Sequence, residues 1–306
     1  MLHVYTHPAC LDHDPGPGHP ESPARLKAVL GALRSLPPGR FEEHHAPLVE
    51  RALVERVHEP ALVQRLFGLS PTHGYAAIDA DTRMSPGSLE AARRAAGAVA
   101  HAVDAVLDGL CQRVFCAVRP PGHHATRAEA MGFCLFNNIA IGAQRALLRG
   151  LRRVAVVDFD VHHGNGTQDI FWDEPRVLFC STHQSPLYPG TGAESERGGR
   201  GRVHNLPLPA GADSLAFRAA WRELLREIDA FQPQLILVSA GFDGHRLDPL
   251  AGLNLGAADY AWITTELVAI AERHAGGRLV SSLEGGYSLT ALAESTLAHV
   301  EALGDG

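Results

Sequence analysis

The chain has 306 residues, 45% of them hydrophobic, enough for a sizeable core in one large α/β domain or two small ones. Its net charge of −7 at pH 7 argues against nonspecific nucleic-acid binding, which rests on basic patches. No apolar run approaches a membrane span, and Met1 to Cys10 carries histidines rather than the apolar centre of a secretory leader, so neither membrane nor export is expected.

Leu2 to Thr6 reads as a first strand. A loop rich in Pro, Gly and His follows, through His13-Asp14-Pro15-Gly16 and His19-Pro20-Glu21-Ser22-Pro23, and is expected to form one wall of a pocket. Leu26, Val29, Leu30 and Leu33 recur at helical spacing, predicting a helix over Ala24 to Leu36 capped by Ser22 with Pro23 in its first turn. Phe41 to His73 reads as short helices and turns, among them Leu53 to His58 and Ala61 to Leu69. Pro86 to Leu110 is a helix closed by Gly109, and Val114 to Val118 is a strand running into Arg119-Pro120-Pro121-Gly122-His123-His124. Met131 to Asn138 leads into a helix that ends at Leu148.

Val154 to Thr167 organises the rest. Val154, Ala155, Val156 and Val157 form the apolar run of a strand covered on both faces. Asp158, Asp160, His162 and His163 then arrive within six residues, before Gly164-Asn165-Gly166. Period-2 alternation would set Asp158, Asp160 and His162 on one side of an extended chain. Buried carboxylates are costly unless paired or bound to a cation, so the group reads as a sulfur-free metal site.

Arg176 to Ser181 is the next strand, with a Gly-rich loop from Tyr188 to Gly201. Leu215 to Phe231, Ala257 to His274 and Leu289 to Leu303 read as helices, and Leu235 to Ser239 and Arg278 to Leu283 as strands. Alternating strands and helices predict an α/β fold with a mostly parallel sheet and, without repeat or linker, a single domain over 1–306. Ligands of such sheets sit beyond the strands' carboxyl ends. Four strands here end in PPGHHA, DFDVHHGNG, SAGFDGH and LEGGY, which would meet at one rim. The odd cysteine count (Cys10, Cys111, Cys116, Cys134 and Cys180) without CxxC spacing fits reduced thiols in a cytoplasmic protein.

Six segments, HPESPARL (19–26), RPPGHHA (119–125), GFCLFNN (132–138), VDFDVHHGNGTQ (157–168), SAGFD (239–243) and LEGGY (283–287), together make the chain resemble the zinc-dependent histone deacetylase superfamily, with its arginase–deacetylase fold. The wording is closest to class II enzymes and their bacterial relatives. The resemblance implies metal ligation by Asp160, His162 and Asp243, with an open position for water and substrate. Water activated by the metal would attack the acetyl carbonyl. His124 would act as base and then acid, His123 would assist electrostatically, Asp158 and Asn165 would orient the two rings, and Tyr287 would donate to the oxyanion. Asn165 stands where many class I enzymes have Asp, which leaves an imidazolium at His124 less stabilised. Gly285 and Gly286 would bring the Tyr287 ring close.

Gly132, Phe133 and Tyr188 would line a tunnel for the acyl-lysine stem, and Leu250 leans toward lysine because a polyamine-selective relative carries Glu there. The metal implied is Zn2+, with Fe2+, Co2+ or Mn2+ acceptable to the same ligands. A structural K+ would be held by Asp158, Asp160, His162, Ser181 and Thr182, and an outer K+ site would involve Phe171 and Val177. The expected activity is acetyl-lysine deacetylation, with acetylpolyamines or small acetyl-amides as alternative substrates and a non-catalytic scaffold as the alternative class. The complete ligand set and Tyr287 speak against a scaffold, and the three-ligand set speaks against an arginase-like dinuclear site. An oligomer is left open.

Overall fold

Why the polar motifs gather at one place follows from strand order. The computed structural model describes residues 1–304. Its strands are β1 Leu2–Thr6, β2 Phe41–His45, β3 Ala76–Ala77, β4 Arg83–Met84, β5 Arg113–Cys116, β6 Val154–Asp158, β7 Val177–Gln184, β8 Val203–Leu208, β9 Leu235–Ala240 and β10 Leu279–Leu283. β3 and β4 form a small antiparallel ribbon. The other eight form one sheet in the order β2-β1-β5-β10-β9-β6-β7-β8, parallel at every pairing. β5, β10, β9 and β6 are central and buried along their whole length, and their largely apolar sequences suit a sheet covered on both faces. Because all run the same way, their carboxyl ends lie side by side.

Helices cover the sheet, including Pro23–Arg34, Ser88–Leu107, Asn138–Leu148, Ser214–Phe231, Ala257–His274 and Leu289–Gly304. Ser88–Leu107 and Asn138–Leu148 pack together, as do Ala257–His274 and Leu289–Gly304. The first contact depends on small residues: a Cβ on Gly142 would sit 2.5 Å from Val99 Cγ1.

Two strands of the eight-stranded sheet depart from the sequence reading, as does the small β3–β4 ribbon. β2 replaces the expected helices and turns at Phe41 to His45, because parallel pairing with β1 overrides a polar FEEHH segment. β8 lies in a segment that carried no strand signal, paired to β7 at the other edge, where one neighbour suffices and Pro207 is tolerated. Ser22 occupies the N-cap position of Pro23–Arg34, but its side chain makes no capping bond. A short helix, Asn165–Phe171, follows the Gly164-Asn165-Gly166 turn, where the sequence carries no helical periodicity.

Buried histidines contribute to the acid sensitivity of this fold. His58 Nε2 accepts the Asn137 backbone N–H at 2.9 Å, so its Nδ1–H donates to Thr126 O at 2.7 Å. Burial pushes its pKa down to about 4, and Arg127 adds to that. A depressed folded-state pKa gives stability that is present above the ordinary value of 6.5 and lost as pH falls toward the folded one. Chemical unfolding of the metal-free protein at about pH 7 and about pH 4.5 should show the wild type losing about 2 kcal/mol more than His58→Gln. Equal losses in the two proteins would refute this role for His58.

Candidate active site

The loops after β5, β6, β9 and β10 converge at the carboxyl edge of the sheet. β6 stops at Asp158, and the chain then turns rather than continuing extended. Asp158 Oδ1 accepts the Asp160 N–H at 3.1 Å, and Asp160 Oδ1 accepts the His162 N–H at 2.9 Å. These successive Asx turns divide the three residues that alternation placed on one side. Asp160 and His162 join Asp243 from the loop after β9, and Asp158 faces His123 instead.

His162 Nδ1 lies 3.2 Å from Asp160 Oδ1 and 3.1 Å from Asp243 Oδ2. A tetrahedral zinc site with ligand bonds near 2.0 Å has ligand atoms about 3.3 Å apart, so these two separations suit such an ion, and all three ligand atoms lie within 4.8 Å of one another. Asp160 and Asp243 are fully buried. The second oxygens are held by backbone: Asp243 Oδ1 accepts the Val161 N–H at 2.9 Å, and Asp160 Oδ2 accepts the Gly285 N–H at 2.8 Å. Burial, and then Asp160, push the Asp243 carboxyl up to about 7, the pressure a bound cation would relieve.

Glycines make this crowding achievable. A Cβ on Gly241 would overlap the Asp160 carboxylate, and one on Gly285 would overlap Asp243 Oδ2 and lie 2.6 Å from Asp160 Oδ2. The glycine pair before Tyr287 therefore has two jobs: Gly285 clears space for the carboxylates, while Gly286 turns the chain at φ 123°. Gly285→Ala should lower zinc affinity and activity by about 10–100-fold without removing any ligand, as measured by zinc titration of the apoprotein. Unchanged affinity would show that the carboxylates are not fixed by this packing.

The paired histidines follow β5. Their ring centroids are 4.0 Å apart, and each Nδ1 has its own partner: Asp158 Oδ2 at 3.0 Å for His123, and Asn165 Oδ1 at 2.8 Å for His124. An amide oxygen only accepts, so His124 Nδ1 carries its proton and Nε2 keeps a lone pair. Burial opposes charge on both rings, but for His123 the attraction of Asp160 and Asp158 wins and raises it to about 10. For His124, burial, His123 and His162 all push the pKa well down. The two neighbouring rings are thus pushed in opposite directions.

Glu284, within LEGGY but assigned no role from sequence, anchors this region. Its Oε2 accepts the N–H groups of Gly122 at 2.6 Å and His123 at 3.2 Å, and Oε1 accepts the Ser239 hydroxyl at 3.1 Å. Burial pushes its carboxyl up to about 7. Its signal was a charge directly after an apolar strand.

Gly132, Phe133, Tyr188 and Leu250 line a cavity of about 230 Å³ together with His124, His162 and Tyr287. Asp81 and Leu187, which no sequence motif marked, complete the lining. Phe133 has φ 68°, a left-handed conformation costing about 1–2 kcal/mol for a residue with a side chain. The expected wall at residues 7–23 lies one layer back: none of its residues lines the cavity, but His19 packs edge-on against Phe133 at 4.7 Å. Behind it, buried Glu21 pairs with Arg119 and Arg25. Arg25 donates to Gly286 O at 2.6 Å and lies 4.8 Å over the Tyr287 ring.

Of the residues linked to potassium, Asp158 and Ser181 are register partners on β6 and β7, and Thr182 follows on β7. Ser181 Oγ also lies 3.0 Å from His183 Nδ1. Phe171 ends the helix Asn165–Phe171, and Val177 opens β7.

The family described as histone deacetylase domain matches residues 19–303. A probable deacetylase of Archaeoglobus fulgidus is 42% identical over 295 residues, covering 94% of this chain and 81% of its own length. A histone deacetylase-like amidohydrolase of Pseudomonas aeruginosa is 41% identical over 303 residues, covering 94% of this chain and 77% of the relative. Among solved structures, the HDA15 HD domain superposes with a TM-score of 0.93 at 35% identity, over 99% of this chain and 88% of that one.

Proposed function

The chain belongs to the histone deacetylase family, a family of deacetylases and amidohydrolases with the arginase–deacetylase fold, and from that premise we propose that residues 1–306 form one catalytic domain that removes acetyl groups from acetyl-lysine. The observation that carries this reading is the convergence of His124, His162 and Tyr287 on one narrow cavity, with His162 also in the Asp160-His162-Asp243 cluster.

Zinc is the ion we assign to that cluster, with Fe2+, Co2+ or Mn2+ compatible with the same donors. When bound, it supplies Lewis acidity, lowering the pKa of a water and polarising the amide carbonyl. His124 takes the proton of the attacking water at Nε2 and returns it to the departing amine, while Asn165 fixes its tautomer. His123, paired with Asp158, contributes positive charge beside the developing oxyanion. Tyr287 donates its hydroxyl to that oxygen. Gly132, Phe133, Tyr188 and Leu250 grip the methylene stem. Potassium is assigned a structural role at Asp158, Asp160, His162, Ser181 and Thr182, supported by the pairing of Asp158 with Ser181.

The described structure has no helix long and apolar enough to cross a membrane. All five cysteines are free and buried, in keeping with a cytoplasmic, reducing setting.

Leu250 favours acyl-lysine, since an apolar side chain offers no attraction to a second cation. Asp81 favours a second reading, an acetylated polyamine, because it is the carboxylate in the lining outside the ligand cluster. Side-by-side acetate release should give a kcat/KM at least about tenfold higher on an acetyl-lysine peptide than on an acetylated polyamine. The reverse preference would assign the site to polyamines, and turnover of neither would overturn deacetylation of both substrates.

A further inference from the structure

The β1–β2 edge of the sheet carries a second cluster of metal-binding side chains. In parallel register His3 sits opposite Glu42, and Tyr5 opposite His44. Residues two apart on a strand share a face, so both histidines and the glutamate project from the same side. The imidazoles of His3 and His44 have centroids 4.3 Å apart, and Tyr5 stacks on His44 at 5.1 Å.

The polar atoms here are close without being bonded. The Glu42 carboxylate is 3.8 Å from His3 Nε2 and 3.5 Å from His44 Nε2, beyond the usual hydrogen-bond range. His3 is only 8% exposed, and its Nδ1 has no partner; His44 Nε2 is likewise enclosed and unpartnered. Buried nitrogens are seldom left unsatisfied. One ligand atom from each residue lies within 4.8 Å of the other two.

We propose that His3, Glu42 and His44 bind a divalent cation of the zinc class, separate from the ion assigned to Asp160, His162 and Asp243. Two imidazoles and a carboxylate, with no sulfur, are borderline donors suited to Zn2+. The three are more widely spread than the catalytic set and must draw inward on the ion. Glu42 can do so, because its side chain is 57% exposed and free to change rotamer. The bound ion fastens edge strand β2 to β1 through side chains, at an edge held otherwise by one row of backbone bonds. It leaves a coordination position facing solvent, consistent with a structural ion reached from outside.

Tag-free apoprotein dialysed against zinc and analysed by mass spectrometry tests this. The wild type should hold about two zinc ions per chain, and His44→Ala and His3→Ala about one each with kcat/KM unchanged. Glu42→Gln, at an exposed position, carries the same comparison should either histidine variant fail to fold. A wild type that holds no more zinc than the His3, His44 and Glu42 variants would overturn the proposal, whatever the total count. Because the count is read independently of turnover, it stands or falls apart from the deacetylase reading.

Discussion

Replacing His124 by alanine is expected to lower kcat/KM by about 10²–10⁴-fold while bound zinc is retained, the range of a general acid–base group. Neutrality is what the residue needs, and burial pushes it that way first, with the neighbouring His123 adding to the push. The bond from Nδ1 to Asn165 Oδ1 at 2.8 Å aims Nε2 away from that amide, and the ring lies on the cavity wall with His162, 6.0 Å between centroids. His123→Ala should cost less, since its Nδ1 is engaged by Asp158 and its part is electrostatic. A His124→Ala enzyme with near-wild-type turnover would remove it from proton transfer; loss of zinc in the same variant would make its role structural. Asn165→Asp supplies a graded check, because a carboxylate on Nδ1 should raise the basicity of the ring and shift the acid limb of the pH–rate profile upward.

Tyr287→Phe should lower kcat by about 10²–10³-fold with KM little altered, the signature of a donor that matters mainly at the transition state. The phenol must remain protonated to donate. Burial holds its pKa well above the ordinary value of 10.0, and Asp243 and Asp160 add to this against the opposing charge of Arg25. The ring is fixed from three directions: Asp248 Oδ2 accepts its backbone N–H at 2.7 Å, the Arg25 guanidinium lies 4.8 Å over one face, and Phe133 meets it edge-on at 6.0 Å. Phenylalanine preserves all of these contacts, so the variant isolates the hydroxyl. Full activity would end the oxyanion role. A large rise in KM with kcat intact would make Tyr287 a substrate-binding residue.

Legibility in the sequence followed burial. β6 and β9 announced themselves by apolar runs of four residues because both faces are covered, and the residues just past them were among the ones that converge. β2 and β8 stayed hidden because an edge strand needs only one neighbour and tolerates FEEHH or a proline. Within the site, residues in compact motifs such as His123, His124 and Asp243 could be picked out, and the structure brings them together. Asp81 and Leu187 could not, since they reach the cavity from loops without periodicity. Alternation also misplaced Asp158 relative to Asp160 and His162, because it presumes an extended chain where backbone–carboxylate bonds had already begun a turn.

The strand order has a consequence for how the molecule is made. β5 pairs with β10, so Arg113 to Cys116 cannot find their central neighbour until Leu279 to Leu283 have been synthesised. β6 likewise waits for β9 on one side. Such non-local parallel pairings close long loops before they are rewarded, which predicts slow folding and intermediates with open sheet edges. Asp160 and Asp243 come together only across that late β6–β9 seam. A nascent chain therefore offers no finished pocket for a cation, and metal uptake by this site belongs to the end of folding rather than its beginning.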